Sequence, residues 1–432
     1  MPRLALSFAV TFALAGCSRS DEGPAPREPA EVPQPVPQNG NGPAGAANGN
    51  GVIERPAAPL AGFAFPISAA DAEAGWLALF DEHSLFGWEA TSDANWSVAD
   101  GVLRADAGTE GFLMSHVPFA DFEFRCEYRL EKGGNSGIFL RTIRDPQDPA
   151  TDCYEFNLCD SHPAFPTGSI VGRKKTGAKV DGEGTWKRVA LRVEGRKVIA
   201  RIDEQLAIDF QDDSQNFRPQ GFIGLQKKEG RIEFRNVAVR PLGGKPIFDG
   251  RDLSAWREVP GSKSEFAVED ESIRVTNGPG FLETRDAWVD FVLQGQAKTN
   301  GDGLNSGIFF RALPGTAEAP SNGYEFQIHN AFKNGDPTQP ADFGTGAIYR
   351  RQPARRIVSR DEEWFAFALV AAGPRFQSWV NGYPVLTWID DRAPDENPRR
   401  GQRLAAGHIS LQGHDPTTDL QFRAIRIAPL PR

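Results

Sequence analysis

The chain has 432 residues, enough for two domains with cores of their own. A net charge of −9 leaves no basic footprint, which excludes nucleic acid as a partner. With 45 Gly, 33 Pro, 30 Phe, 9 Trp and 5 Tyr, the composition argues against a helical bundle and for short strands joined by turns.

In chain order, residues 1–3 are a short basic start, and residues 4–15 form an apolar run too short to span a bilayer. The run ends in Leu14-Ala15-Gly16-Cys17, which resembles the lipobox of bacterial lipoproteins. That resemblance implies a signal peptide over 1–17, lipid attached to Cys17 and a membrane anchor. A plain signal peptide with an incidental cysteine leads equally to export. Residues 18–68 are Pro, Gly, Ala, Asn and Glu without the apolar content of a core, and they read as a disordered tether.

The remainder says the same things twice. Phe80-Asp81 with Trp88 returns as Phe248-Asp249 with Trp256. Asn135-Ser136-Gly137-Ile138-Phe139 with Arg141 returns as Asn305-Ser306-Gly307-Ile308-Phe309 with Arg311. Tyr154-Glu155-Phe156 returns as Tyr324-Glu325-Phe326, and Leu225-Gln226 as Leu411-Gln412. A period this long marks a duplicated domain, with copies over 75–242 and 244–431. Each copy holds many short alternating runs, such as residues 122–130 (FEFRCEYRL), and none keeps a helical period over three turns. The pattern predicts all-β, two-sheet sandwiches. Cys126, Cys153 and Cys159 are an odd set: a cross-strand Cys126–Cys159 bridge or three buried thiols. Trp88, Trp256, Trp186 and Trp364 are expected in the core.

Side chains of a strand alternate faces. In one run Asn305, Phe309 and Arg311 share a face, with space at Gly307. In the next, Glu325, Gln327 and His329 share a face opposite Tyr324, Phe326 and Ile328. Such a row is either a solvated face or the floor of a site, and its recurrence favours a site.

Taken together, the opening Phe-Asp and Trp, Asn-Ser-Gly-Ile-Phe-x-Arg, Tyr-Glu-Phe, Gly-Ala-Ile-Tyr at 346–349, Trp379-Val380-Asn381-Gly382 and the closing Leu-Gln and Phe-Arg resemble the 3-keto-disaccharide hydrolase domain family. The resemblance implies two tandem concanavalin A-like jelly rolls and a carbohydrate substrate, a 3-keto-glycoside. A ketone at sugar C3 acidifies the C2 proton, so a general base and donors to an enolate oxygen are required. The second copy is favoured because it carries His329 and His414 where the first has Cys159 and Lys228, although the first keeps Asp160 and has His162 nearby.

On this basis Glu325 is the candidate base, His414 an acid or metal ligand, and Arg311 and Asn305 the enolate donors. Gln327, His329, Gln412 and Tyr349 are expected to bind substrate, with Glu155, Arg141 and Asn135 as first-copy counterparts. Glu325, His329 and His414 are donor types a divalent cation takes, at a spacing that is not diagnostic. The arginine-rich runs 350–356 and 394–403 either rim the site or are solvated surface. The same side chains bind sugar hydroxyls without reaction, so a lectin-like module is the alternative.

Overall fold

The computed structural model describes residues 63–397 and 399–431; the signal segment, Cys17 and most of the tether lie outside the described residues. Among the described residues one five-residue helix, Ala69–Glu73, precedes strands throughout. The first copy pairs an eight-stranded sheet with a five-stranded one, and the second repeats both strand orders. In the second copy the five-stranded order is Trp256–Glu258, Gly280–Thr284, His408–Gly413, Ser306–Ala312, Tyr324–Ile328, all antiparallel. In the first it is Trp88–Ala90, Gly111–Ser115, Phe222–Lys227, Ser136–Thr142, Tyr154–Leu158. The chain is therefore two tandem jelly-roll-like β-sandwiches.

Alternation builds the cores. Phe122–Leu130 buries every second residue, so Phe122, Phe124, Cys126, Tyr128 and Leu130 face inward. Its neighbour Lys187–Glu194 likewise keeps charged residues outside. The corresponding strand of the second sandwich, Phe365–Ala372, is apolar on both faces. Its Phe365, Phe367, Leu369 and Ala371 enter the second core, whereas Ala368 and Val370, with Val292, Trp379 and Leu430, join the core of the first. A strand buried on both faces reads as a continuous apolar run, and here the outer cover is the other sandwich. Val292, Val370 and Trp379 each contribute on the order of 2 kcal/mol through this burial. Polar contacts fix the register: Trp379 Nε1 donates to Ala78 O (2.8 Å), and Arg355 and Arg375 pair with Asp81 and Glu89 (2.7 and 2.6 Å).

Three expectations need correction. Trp88 and Trp256 are core, but Trp186 and Trp364 are not: they are half-buried outside the large sheets. Arg129 and Arg235 cover Trp186, and Lys298 and Arg423 cover Trp364, so cation–π contact replaces core burial. The last residues assigned to the tether are packed, with Phe63 edge-on to Tyr383 at 5.1 Å and Ile67 buried. Of the two cysteine readings, free thiols hold: Cys126, Cys153 and Cys159 are all buried and unbridged.

The third correction concerns Arg141 and Arg311. Parity places Arg311 beside Phe309, but the register shifts between Phe309 and Ala312, and Arg311 has φ +48°. Alternation fails across a bulge. The guanidinium turns into the protein, fully buried: Nε donates to Val289 O, Nη1 to Gly373 O and Arg403 O, and Nη2 to Asp290. Arg141, also at φ +48°, repeats this with Ala120 O, Gly195 O, Arg218 O and Asp121. Both are structural pins, not substrate ligands.

Removing one partner of a buried ion pair leaves the other uncompensated and costs roughly 3–5 kcal/mol. Arg311→Met should fall in that range. Arg141→Met should cost less, because the Asp121 side chain is 35% exposed and that of Asp290 only 11%. Calorimetric unfolding measures both; an Arg311→Met protein of unchanged Tm that has lost sugar binding would return Arg311 to the site.

Candidate functional site

The site is built on the outer face of the second five-stranded sheet. Register sets Glu283, Ser410, Phe309 and Glu325 in one row across four strands. The next row holds Phe281, Gln412, Gly307 and Gln327. Ile308, Phe310, Phe326 and Ile328 take the opposite face into the core. Val259, Phe281, Phe309 and Ala312 form a separate apolar patch, with Phe281 and Phe309 in the same rows as the polar groups.

Gly307 makes room for the central carboxylate. A Cβ there would sit 2.8 Å from Glu325 Cγ and Oε1, so the glutamate side chain occupies the space a larger residue would fill. Glu325 is 5% exposed. Its Oε2 accepts from Arg399 Nη2 at 3.2 Å, while Arg399 Nη1 donates to Ser321 and its guanidinium lies over the Phe309 ring. Burial pushes the Glu325 carboxyl up to about 7; the charges of Arg399 and Arg350 oppose this, and Asp342 reinforces it. A carboxylic acid poised there exchanges protons near neutral pH.

Around it, Gln327 Oε1, Gln412 Oε1 and Ser410 Oγ are buried without a hydrogen-bond partner among the described residues. Such atoms are costly to leave unpaired. Asn305 Nδ2 donates to Asp342 Oδ2 (2.8 Å), as does Gln327 Nε2 (3.1 Å), tying one end of the row together. Tyr349 donates its backbone N–H to Glu325 O and presents its ring to Phe343. Glu283 is occupied: Arg257 and the Gly315 N–H take its two oxygens.

The structure thus brings Asn305, Glu325, Gln327, Gln412 and Tyr349 to one region. It does not bring the histidines to Glu325. His329 is four residues on, about 13 Å along the strand direction, and its Nδ1–H donates to Leu304 O. His414 lies beyond the end of its strand, with a 41% exposed side chain bonded to Asp415. Among the described residues no three His, Cys, Asp or Glu side chains are placed to hold a metal ion, so Glu325, His329 and His414 are not a cation site. Arg399, Asp342 and Ser410 are residues of this candidate site that the sequence did not single out. Arg399 was visible only as part of an arginine-rich loop, and Asp342 in residues 341–346 carried no signal.

The first copy repeats the frame with different contents. Glu155 pairs with Phe139 as Glu325 does with Phe309, and burial likewise raises it to about 7. Among the described residues its carboxylate accepts no hydrogen bond; Lys228 lowers and Glu110 raises its proton affinity. The row beside it is Met114 and Gly224 in place of Glu283 and Ser410. Asn135 is engaged through its backbone with Glu229.

Comparison with known proteins agrees with the duplication. A family model described as a 3-keto-alpha-glucoside-1,2-lyase-like domain matches residues 75–240 and again 243–428. A 3-keto-disaccharide hydrolase of Bacteroides thetaiotaomicron is 24% identical over 230 residues, covering 39% of this chain and 79% of that protein. Among solved structures, a proposed glycosyl hydrolase from Parabacteroides distasonis aligns at 18% identity and TM-score 0.37, over 41% of this chain and 98% of that one. A carbohydrate binding module from Bacillus subtilis aligns at 19% and 0.29, over 36% and 95%.

The raised Glu325 proton affinity has a stability signature. Between about pH 4.5 and 7 the folded protein holds this proton and the unfolded chain does not. Stability therefore falls as pH rises through that window, by at most about 3 kcal/mol from this group. Glu325→Gln lacks the penalty, so its Tm relative to wild type should rise between pH 5 and pH 8. A Tm difference that stays constant with pH would show that Glu325 is not held protonated.

Proposed function

Because the chain belongs to the 3-keto-alpha-glucoside-1,2-lyase-like domain family, in two copies, we propose that its second sandwich cleaves 3-keto-glycosides with Glu325 as general base. The observation that supports this most is the buried Glu325 carboxyl, held at about 7 among unpartnered acceptors. In this reading Glu325 takes the C2 proton, and the electron pair moves onto the C3 oxygen. Arg399 donates to that oxygen in the role first expected of Arg311. Return of the pair expels the C1 aglycone, which leaves with a proton. Water then adds at C1, and a proton returns to C2. Gln327, Gln412 and Ser410 accept from the ring hydroxyls and orient the sugar.

The same groups serve a lectin-like module, and the Arg399 bond to Glu325 favours that second reading, since the base is already engaged. Export and membrane anchoring through Cys17 belong to the proposal as well. Cys17→Ser should move the protein from the membrane fraction to the soluble fraction, and a variant that stays in the membrane fraction argues against lipidation.

For the chemistry, turnover should rise with pH through about 7 as Glu325 ionises. Glu325→Gln should lower it by roughly 10²–10⁴-fold while sugar binding persists, and Glu155→Gln should change it far less. Arg399→Gln removes a charge that favours the carboxylate, so the pH profile of the remaining activity should move to higher pH. Saturable sugar binding with no turnover in wild type would establish the lectin-like reading instead. Equal losses from Glu155→Gln and Glu325→Gln would place the chemistry in both copies.

A further inference from the structure

The two copies differ most in what surrounds one shared carboxylate. In the first sandwich Asp212 accepts from Tyr154 and pairs with Arg173 at 3.0 Å. In the second, Asp390 accepts from Tyr324, but its guanidinium is Arg392, only two residues along the chain. The counterpart of Arg173 is Arg351, since each lies three residues after the matching bridge residue Ile170 or Ile348. Arg351 has thus lost its carboxylate to Arg392.

The cause is an insertion. Five residues separate Asp212 from Arg218, whereas twelve separate Asp390 from Arg403. The anchors match, for Arg218 and Arg403 each bond the tyrosine hydroxyl through N–H. The longer segment adds Arg392, Arg399 and Arg400. Arg351 Nη2 donates to Arg399 O and its Nη1 to Arg350 O, which gathers the group at the rim over Glu325. Arg350 itself stands where the first copy has Gly172.

Acids do not balance this rim. Among the described residues Arg350, Arg351 and Arg400 enter no ion pair, while Arg399 has only Glu325. Asp342 is engaged with the amides of Asn305 and Gln327, and Asp390 with Arg392. Asp391, Asp395 and Glu396 on the insertion are exposed and pair with none of these arginines. Burial, then the charge of Arg392, makes Arg351 a less comfortable cation than usual; Asp390 opposes this in part, and Arg399 adds to it. Guanidinium groups held this way match a carboxylate in shape and charge.

We propose that this rim selects an acidic glycoside: the second sandwich binds a sugar that carries a carboxylate, on its ring or on its aglycone, through Arg351, Arg399 and Arg350. The inference uses the site position of the reading above but not its chemistry.

Equilibrium binding to the full chain tests it, with methyl β-glucoside, methyl β-glucuronide and para-carboxyphenyl β-glucoside as probes. At least one acidic probe should bind about 10- to 100-fold more tightly than the neutral one, and which one does so locates the charge. Arg351→Gln and Arg399→Gln should each reduce the preference without changing Tm by a comparable margin, and added salt should weaken it. Equal affinities for all three probes, or a preference that survives both substitutions, overturns the proposal. Acid preference in a protein that turns over no 3-keto-glycoside supports this inference and removes the lyase reading. Turnover of a neutral 3-keto-glycoside without acid preference does the reverse.

Discussion

Each sandwich depends on a buried guanidinium of its own. Arg311 joins a strand bulge, the approach to the strand Phe291–Thr299 through Asp290, the turn at Gly373 and the end of the insertion at Arg403. Arg141 does the same for the first copy. A positive φ at an arginine is unfavourable by itself, and the hydrogen bonds to the buried group offset it. The pin also reaches the site. Arg403 is fixed from two sides, its carbonyl by Arg311 and its N–H by Tyr324, so the insertion that carries Arg399 has a rigid end.

On that frame the two copies handle the same problem differently. Each buries a glutamate on the outer face of its small sheet, and in each burial outweighs the neighbouring charges and raises the carboxyl to about 7. In the first copy the carboxylate has an apolar neighbour row, one unpartnered glutamine acceptor in Gln226 Oε1, and no hydrogen bond among the described residues. In the second it has a guanidinium above it, a serine and two glutamines with free acceptors beside it, and a second carboxylate, Glu283, already neutralised by Arg257. A site that moves a proton and holds a developing negative charge needs the second arrangement. One that only encloses a ligand can use the first.

The strands were legible because alternation is a local rule. Residues 122–130 and the Tyr324–Ile328 row read correctly from period two, and Gly307 announced the space that Glu325 fills. Arg311 misled because a bulge breaks the period, and nothing local to Phe309–Ala312 marks it. Trp186 and Trp364 misled because an aromatic ring under arginines leaves the same sequence trace as one in a core. The unbroken apolar run 365–372 did carry information: it recorded a strand covered on both faces. Arg399 acts on a residue 74 positions away, through a loop whose length differs between the copies. That contact follows from the insertion, and no spacing within either motif encodes it.

In the proposed reaction the site removes a proton from sugar C2. Its most direct measurement is turnover of a neutral and an acidic 3-keto-glycoside in deuterated water, with the released sugar followed by NMR against an enzyme-free blank. Elimination followed by hydration places solvent deuterium at C2 in step with aglycone release. Aglycone release with the original C2 proton retained would mean direct displacement at C1, and Glu325 would not be the base described here.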